Sequence, residues 1–242
     1  MSEAALSGGN TTSVVRIGNT VHRSRGPQSA FVAELLTYLG SIDFPYAPRF
    51  LGVDEAGRDV LTFIEGGTTD HPSERAPEAY RAGGRMLRAL HDATAGHPLA
   101  GDAECVTHGD PGAFNTIFRA GVPVALIDWD TSCPGRRLTD LAYMAWTWCI
   151  QAQGNVPVRD QTVHLRELRD GYGPFAAGEL VATGDLLNAV VQAQTGIVEG
   201  ESAVIRDPGA SPVRSQHAHR AIEWADGDRK FLEQHRRDFL AP

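Results

Sequence analysis

The sequence predicts an α+β chain of two unequal lobes, a small β-rich one first and a larger, mainly helical one after it. Three observations carry that reading. Short β-like runs crowd into the first 65 residues, and Glu65-Gly66-Gly67 then breaks the pattern. Beyond that break, apolar residues recur at helical spacing, apart from one loop-and-hairpin segment. The expected lobes are residues 1–65 and 66–242.

Each element follows from a local signal. Residues 1–13 are small and polar, with Gly8-Gly9 among them. The runs 14–17 and 20–24 are joined by Gly18-Asn19. Gly in first place of a two-residue loop suits a type II′ hairpin. Arg25-Gly26-Pro27 ends the second run. Ser29 is placed to cap a helix through Leu39, with Phe31, Leu35, Leu36 and Leu39 on one face. Pro45 and Pro48 stop it. Runs 50–53 and 60–64 read as another hairpin, with 54–59 as its turn. Gly66-Gly67 marks a flexible crossing. Segment 77–95 then carries Tyr80, Met86, Leu87 and Leu90 near helical spacing. A loop segment over 105–118 leads into a hairpin ending in strand 124–127. Helices are expected over 138–151, 161–172, 178–199 and 216–240, with 208–212 a loop.

Composition narrows the function. Of 242 residues, 42% are hydrophobic and 21% charged, enough for a real core. The net charge of −8 disfavours a nucleic-acid partner, because binding a duplex needs a basic face. No apolar run approaches the roughly 20 residues that span a bilayer, and no secretory segment is read, so no membrane partner is expected. The three cysteines form no Cys-x-x-Cys pair, which suggests reduced thiols in a cytoplasmic protein. No serine-hydrolase elbow, P-loop or zinc-ligand spacing is present.

The chemistry concentrates in one stretch, His108-Gly109-Asp110-Pro111-Gly112-Ala113-Phe114-Asn115, followed after twelve residues by Asp128-Trp129-Asp130. Asp110 sits among glycines and a proline, hence on a loop, where catalytic groups tend to lie. Its carboxylate can meet an attacking hydroxyl. The amide oxygen of Asn115 and the carboxylate of Asp128 are hard ligands suited to Mg²⁺ on nucleotide phosphates. Any one of these alone reads as a turn residue. The spaced set reads as a phosphoryl-transfer site.

Together these motifs resemble the aminoglycoside phosphotransferase family, a branch of the protein-kinase-like fold that includes choline, fructosamine and homoserine kinases. The resemblance spans about 83 to 146, with Leu87-Arg88-Ala89-Leu90-His91 before the loop and Asp140-Leu141-Ala142 after it. It implies Asp110 as catalytic base and Asn115 and Asp128 as magnesium ligands. His108 becomes an orienting residue of the loop, Asp140 its buttress, Asp130 an assistant to the metal and Trp129 core packing. It also implies ATP or GTP as co-substrate and a small-molecule acceptor that the sequence does not identify.

Kinases of this build carry a strand lysine that grips phosphates and pairs with a helix Glu. Here the one lysine is Lys230, far along the chain. Arg23 is the expected substitute, Glu34 its partner, and Val21, on the same strand face, the cover over the adenine. His22 should face the other way. Gly8 and Gly9 fall where a glycine turn covers the phosphates. Phe63 and Glu65 fall where hinge backbone meets the purine. Acids in the last helices (Asp160, Glu167, Asp170, Glu199, Glu201) match no acceptor motif and read as solvated charges. The leading expectation is a Mg²⁺-dependent small-molecule kinase. The alternative, which the missing lysine supports, is a catalytically weak or inactive nucleotide-binding protein with a sequestering or immunity role.

Overall fold

The computed structural model describes residues 3–5, 14–69, 71–175 and 178–241. The chain divides into two compact units, Met1–Ala79 with Met86–Arg137, and Tyr80–Arg85 with Leu138–Pro242. The crossing expected after residue 65 falls inside the first unit. There Gly67 and Phe118 form a β-bridge with hydrogen bonds of 2.8 and 3.2 Å, and Arg119 Nε donates to the Glu65 carbonyl at 2.8 Å. The segment expected to flex is thus pinned by main-chain bonds.

The first unit opens with five antiparallel strands: β1 (Glu3–Ala5), β2 (Val14–Ile17), β3 (Thr20–Arg23), β4 (Phe50–Val53) and β5 (Asp59–Thr62). Their order is β1-β2-β3-β5-β4. Gly18 has φ 61° and Asn19 does not turn positive, which fits the type II′ loop. Helix α1 (Ser29–Ser41) follows β3 and buries Val32, Leu35, Leu36 and Leu39. Its N-cap is Gln28. Ser29 instead lies in the first turn, where its Oγ accepts from the Gly26 N–H at 2.9 Å.

Helix α2 (Ala79–Thr94) leads to two small sheets. Strand β6 (Cys105–Thr107) has no counterpart in the sequence reading. It pairs with β9 (Cys133–Gly135), while β7 (Thr116–Arg119) and β8 (Val122–Leu126) form the expected hairpin. These short ladders fix the loops that carry Asp110, Asn115 and Asp128. Cys105 and Cys149 are buried and Cys133 is exposed.

The second unit is helical: α3 (Arg137–Cys149), α4 (Val158–Tyr172), α5 (Thr183–Arg206), α6 (Pro212–Gln234) and α7 (Arg236–Leu240). Helices α2 and α4 meet backbone to backbone in this unit. A Cβ on Gly84 would stand 2.1 Å from the Leu168 carbonyl oxygen, and one on Gly171 would stand 2.2 Å from that of Arg81. Trp146 stacks on Trp224 with centroids 4.3 Å apart and donates from Nε1 to Asp228 at 2.8 Å. Helix α6 begins earlier than its apolar spacing suggests. Ser211 caps it by accepting from the Arg214 N–H, and Pro212 takes the first-turn place that suits its missing N–H. Among the described residues, no helix is long and apolar enough to cross a membrane.

Candidate active site

The site is built wholly within the first unit, from the loops that β6, β7, β8 and β9 hold in place. Strand β6 ends at Thr107, and His108-Gly109-Asp110 turns away from it. Gly109 takes φ 85°, and a Cβ there would lie 2.4 Å from the Thr131 carbonyl oxygen. Only glycine lets the loop turn so close to the segment after Asp128.

His108 ties the two segments together. It is fully buried, its Nε2 lies 3.0 Å from the Ile127 carbonyl oxygen, and its ring sits 4.7 Å from that of Trp129. Its own carbonyl accepts from the hydroxyls of Thr131 (3.0 Å) and Ser132 (3.3 Å). Trp129 is core, 1% exposed, and donates from Nε1 to the Leu126 carbonyl.

Asn115 is the second tie. It closes a short 3-10 turn, Ala113–Asn115, and is buried. Its Nδ2 donates to the Asp110 carboxylate at 2.9 Å and to the Asp110 carbonyl at 3.1 Å. Both partners are acceptors, so the amide nitrogen is assigned and Oδ1 is the atom left to face a cation. The Asn115 carbonyl in turn accepts from the Ile127 N–H at 2.9 Å, one residue before Asp128. Asp110 is therefore joined to Asn115 through side chains, and Asn115 to the Asp128 segment through main chain.

Asp128 adopts φ 61° and ψ 64°, a left-handed conformation rare for a residue with a side chain. Such strain collects at functional positions. The Asp128 side chain is half exposed, and Arg23 Nη2 lies 3.4 Å from its Oδ1. Arg23 also pairs with Asp130 Oδ2. Burial lifts the Asp130 carboxyl above the usual carboxylate range. The charge of Arg23 opposes that rise, and the nearby carboxylates of Asp128 and Asp59 add to it.

The N-terminal residues fall into place unevenly. Strand pairing sets Arg23 opposite Asp59 and Val21 opposite both Arg16 and Leu61, so Val21 and Arg23 share a sheet face. His22 lies on the other face, bonded to Asp54 (2.7 Å) and Thr20 (2.9 Å). The expected Arg23–Glu34 pair is not formed. Glu34 is exposed on α1, and the ion pairs of Arg23 go to Asp128 and Asp130. Helical phase explains this, since Glu34 lies about 200° round the helix from buried Val32. Phe63 packs under the Arg16 guanidinium at 3.5 Å, and its N–H is already given to the Asn19 carbonyl. Glu65 is exposed. Gly8 and Gly9 lie outside the described residues. Asp140 is 1% exposed in the first turn of α3.

Two contributors escaped the sequence reading. The sequence places Asp59 at the end of a turn, yet it starts β5 and is 5% exposed. Arg16 was one strand residue among several. Strand register would have found both, but register is a tertiary fact.

Hard oxygen donors from Asn115, Asp128 and Asp130 suit a divalent cation. Two of these three side chains already hold a positive group, the Arg23 guanidinium. The set thus fits a cation by its chemistry.

Comparison with known proteins gives a consistent picture. The model of the phosphotransferase enzyme family matches residues 95–176. A trifolitoxin immunity protein from Rhizobium leguminosarum bv. trifolii is 38% identical over 199 residues, 71% of this chain and 74% of that protein. A choline/ethanolamine kinase family protein from Mesorhizobium loti superposes with a TM-score of 0.61 at 18% identity, over 96% of this chain and 92% of that one. The GDP and kanamycin complex of APH(2")-IIia gives a TM-score of 0.63 at 12% identity, over 95% and 93%. At these identities the structures establish the protein-kinase-like fold, which the small strand-rich first part and the helical second part share.

Proposed function

Because the chain belongs to the phosphotransferase enzyme family, the aminoglycoside phosphotransferase group of the protein-kinase-like fold, we propose that it moves the γ-phosphate of a nucleoside triphosphate to a hydroxyl of a small molecule. ATP is the first nucleotide to try and GTP the second. The observation that carries this reading is the double tie of Asn115, by side chain to Asp110 and by main chain to Ile127. It joins Asp110 and Asn115 to the strand end that leads into Asp128.

In the transfer, the acceptor oxygen bonds to the γ-phosphorus as the bond to the β,γ-bridging oxygen breaks. Asp110 takes the hydroxyl proton or aims it, with its carboxylate held still by Asn115 Nδ2. Asn115 Oδ1 and Asp128 would hold Mg²⁺, with Asp130 assisting, and the ion would supply neutralisation of phosphate charge. Arg23, Val21 and the glycines at 8 and 9 are assigned to the nucleotide, as is the backbone near Phe63 and Glu65. His108 supports the loop. Positioning and charge stabilisation do most of the work in such a site. We place the reaction in the cytoplasm, where nucleoside triphosphates are abundant.

Transfer of labelled phosphate from ATP and GTP to a panel of metabolites and aminoglycosides tests the proposal, with Asp110→Asn as the blank. Label transfer that is equal in the variant overturns the base assignment.

One observation favours a second reading. The relative at 38% identity is an immunity protein, and the strand lysine is missing here. In that reading the chain binds nucleotide and acts by sequestration, with little or no transfer. Nucleotide binding that is indifferent to Mg²⁺ and to Asp128→Ala would favour it.

A further inference from the structure

Asp59 is the charged residue that the proposed chemistry leaves unused. It stands directly across from Arg23 in the β3–β5 ladder, so both side chains leave the sheet on one face. It is 5% exposed, and its Oδ1 accepts no hydrogen bond among the described residues. Arg25 Nε stands 3.5 Å from that oxygen as an ion pair, and the Arg25 side chain is 39% exposed. Helix α1 supplies no acid in its place, because Glu34 points outward.

Arg23, meanwhile, lies on Asp128 and Asp130. A divalent cation and a guanidinium cannot both sit on the same carboxylate oxygens, since like charges at contact repel strongly. If those residues take up Mg²⁺, Arg23 must leave them. A buried carboxylate oxygen without a hydrogen-bond donor is unfavourable, and a donor that reaches it is strongly retained. The cross-strand neighbour of Asp59 is that donor.

We infer that Asp59 is a positioning residue for Arg23: the guanidinium moves from Asp128 and Asp130 onto Asp59 when cation and nucleotide enter, and Asp59 then holds its free edge toward the phosphates. The planar fork of Arg, with donors on two edges, permits both contacts at once where a lysine would offer one point. The role that related kinases give to a helix glutamate is here carried by a strand aspartate. This inference rests on the phosphotransferase reading above.

The test is a double-mutant cycle on the full chain, with Mn²⁺ affinity measured alone by paramagnetic resonance and Mg–ATP affinity by calorimetry. Arg23→Met is expected to raise Mn²⁺ affinity several-fold, because the competing cation is gone. Asp59→Asn is expected to lower Mg–ATP affinity about tenfold in the wild-type background and to do nothing further in Arg23→Met. An equal loss in both backgrounds means that Asp59 acts on the fold rather than through Arg23, and overturns the inference. Should Asp59→Asn fail to fold, a crystal structure of the wild-type chain with Mn²⁺ and nucleotide decides. Arg23 within hydrogen-bond distance of Asp59 supports the inference, and Arg23 still on Asp130 beside bound metal overturns it. Mn²⁺ affinity unchanged by Asp128→Ala is a different failure, because the metal-site reading falls and takes this inference with it.

Discussion

The paired acids of the helical unit and the few acids beside Arg23 are compensated differently. In the helical unit nearly every acid that pairs has a cation of its own. Glu167 takes a bidentate grip from Arg81, Glu201 another from Arg214, and Asp226 is shared by Arg229 and Lys230. In the first unit, among the described residues, Asp128 and Asp130 share Arg23, and Asp59 has Arg25 at 3.5 Å. Three carboxylates against two guanidiniums leave the cluster short of positive charge. The helical unit uses its charges to hold helices together, whereas the acids beside Arg23 and Arg25 outnumber those two cations. Of the acids in the last helices, Glu167, Asp170 and Glu201 belong to the first kind.

The largest effect that can break this contrast is on turnover. Asp110→Asn keeps the shape and the Asn115 contact but loses the proton acceptor. It is expected to lower kcat by roughly 10²–10⁴-fold with nucleotide affinity little changed. Single-turnover kinetics with any acceptor found will read it. Asp128→Ala comes next. At a nucleotide concentration of about 100 Kd, binding adds roughly 2.7 kcal/mol to stability. The variant is expected to lose the Mg²⁺-dependent part of that gain in a thermal-shift titration. A full Mg²⁺-dependent shift in Asp128→Ala would mean that the deficit near Arg23 is not where the cation goes.

The sequence exposed the Asp110 loop because its geometry is local. Asp110 and Asn115 lie five residues apart on one loop, and the glycine at 109 announces a tight approach that the structure shows against Thr131. Strand alternation likewise separated Arg23 from His22. The same logic failed for Glu34 and Asp59. Glu34 looked like a partner because a helix acid was sought, yet the burial of Val32, Leu35 and Leu36 turns it outward. Asp59 looked like the end of a turn, since nothing within ten residues shows that its ladder partner is Arg23. Helix ends were also misjudged at 212, where Ser-Pro reads equally as loop or as cap and first turn. Local chemistry was legible, and pairing across strands was not.

Asp228 sharpens the comparison from the other side, because it is a buried acid of the helical unit held by N–H donors of neutral groups. It accepts from Trp146 Nε1 and from the Ala152 N–H, and burial raises its carboxyl above the usual range. Its folded pKa exceeds the unfolded value, so its contribution to stability is full below the ordinary carboxylate pKa and is lost as pH rises through the raised value. Asp228→Asn removes that titration. Melting temperatures measured from acid to neutral pH should show the wild type losing ground to the variant as pH increases. A gap that stays constant would mean that Asp228 does not ionise differently on folding.

The smallest effect should come from the paired acids themselves. Glu201 and Arg214 clip the ends of α5 and α6 with bonds of 2.6 and 3.0 Å, but both side chains are partly open to water. Solvent and side-chain entropy cancel most of such a pair, so Glu201→Gln should cost about 0.5 kcal/mol and less in high salt. Phosphate transfer should not change at all. A loss of turnover in Glu201→Gln, with melting temperature intact, would show that the helical unit's charges are not merely structural and would return the acceptor site to this hairpin.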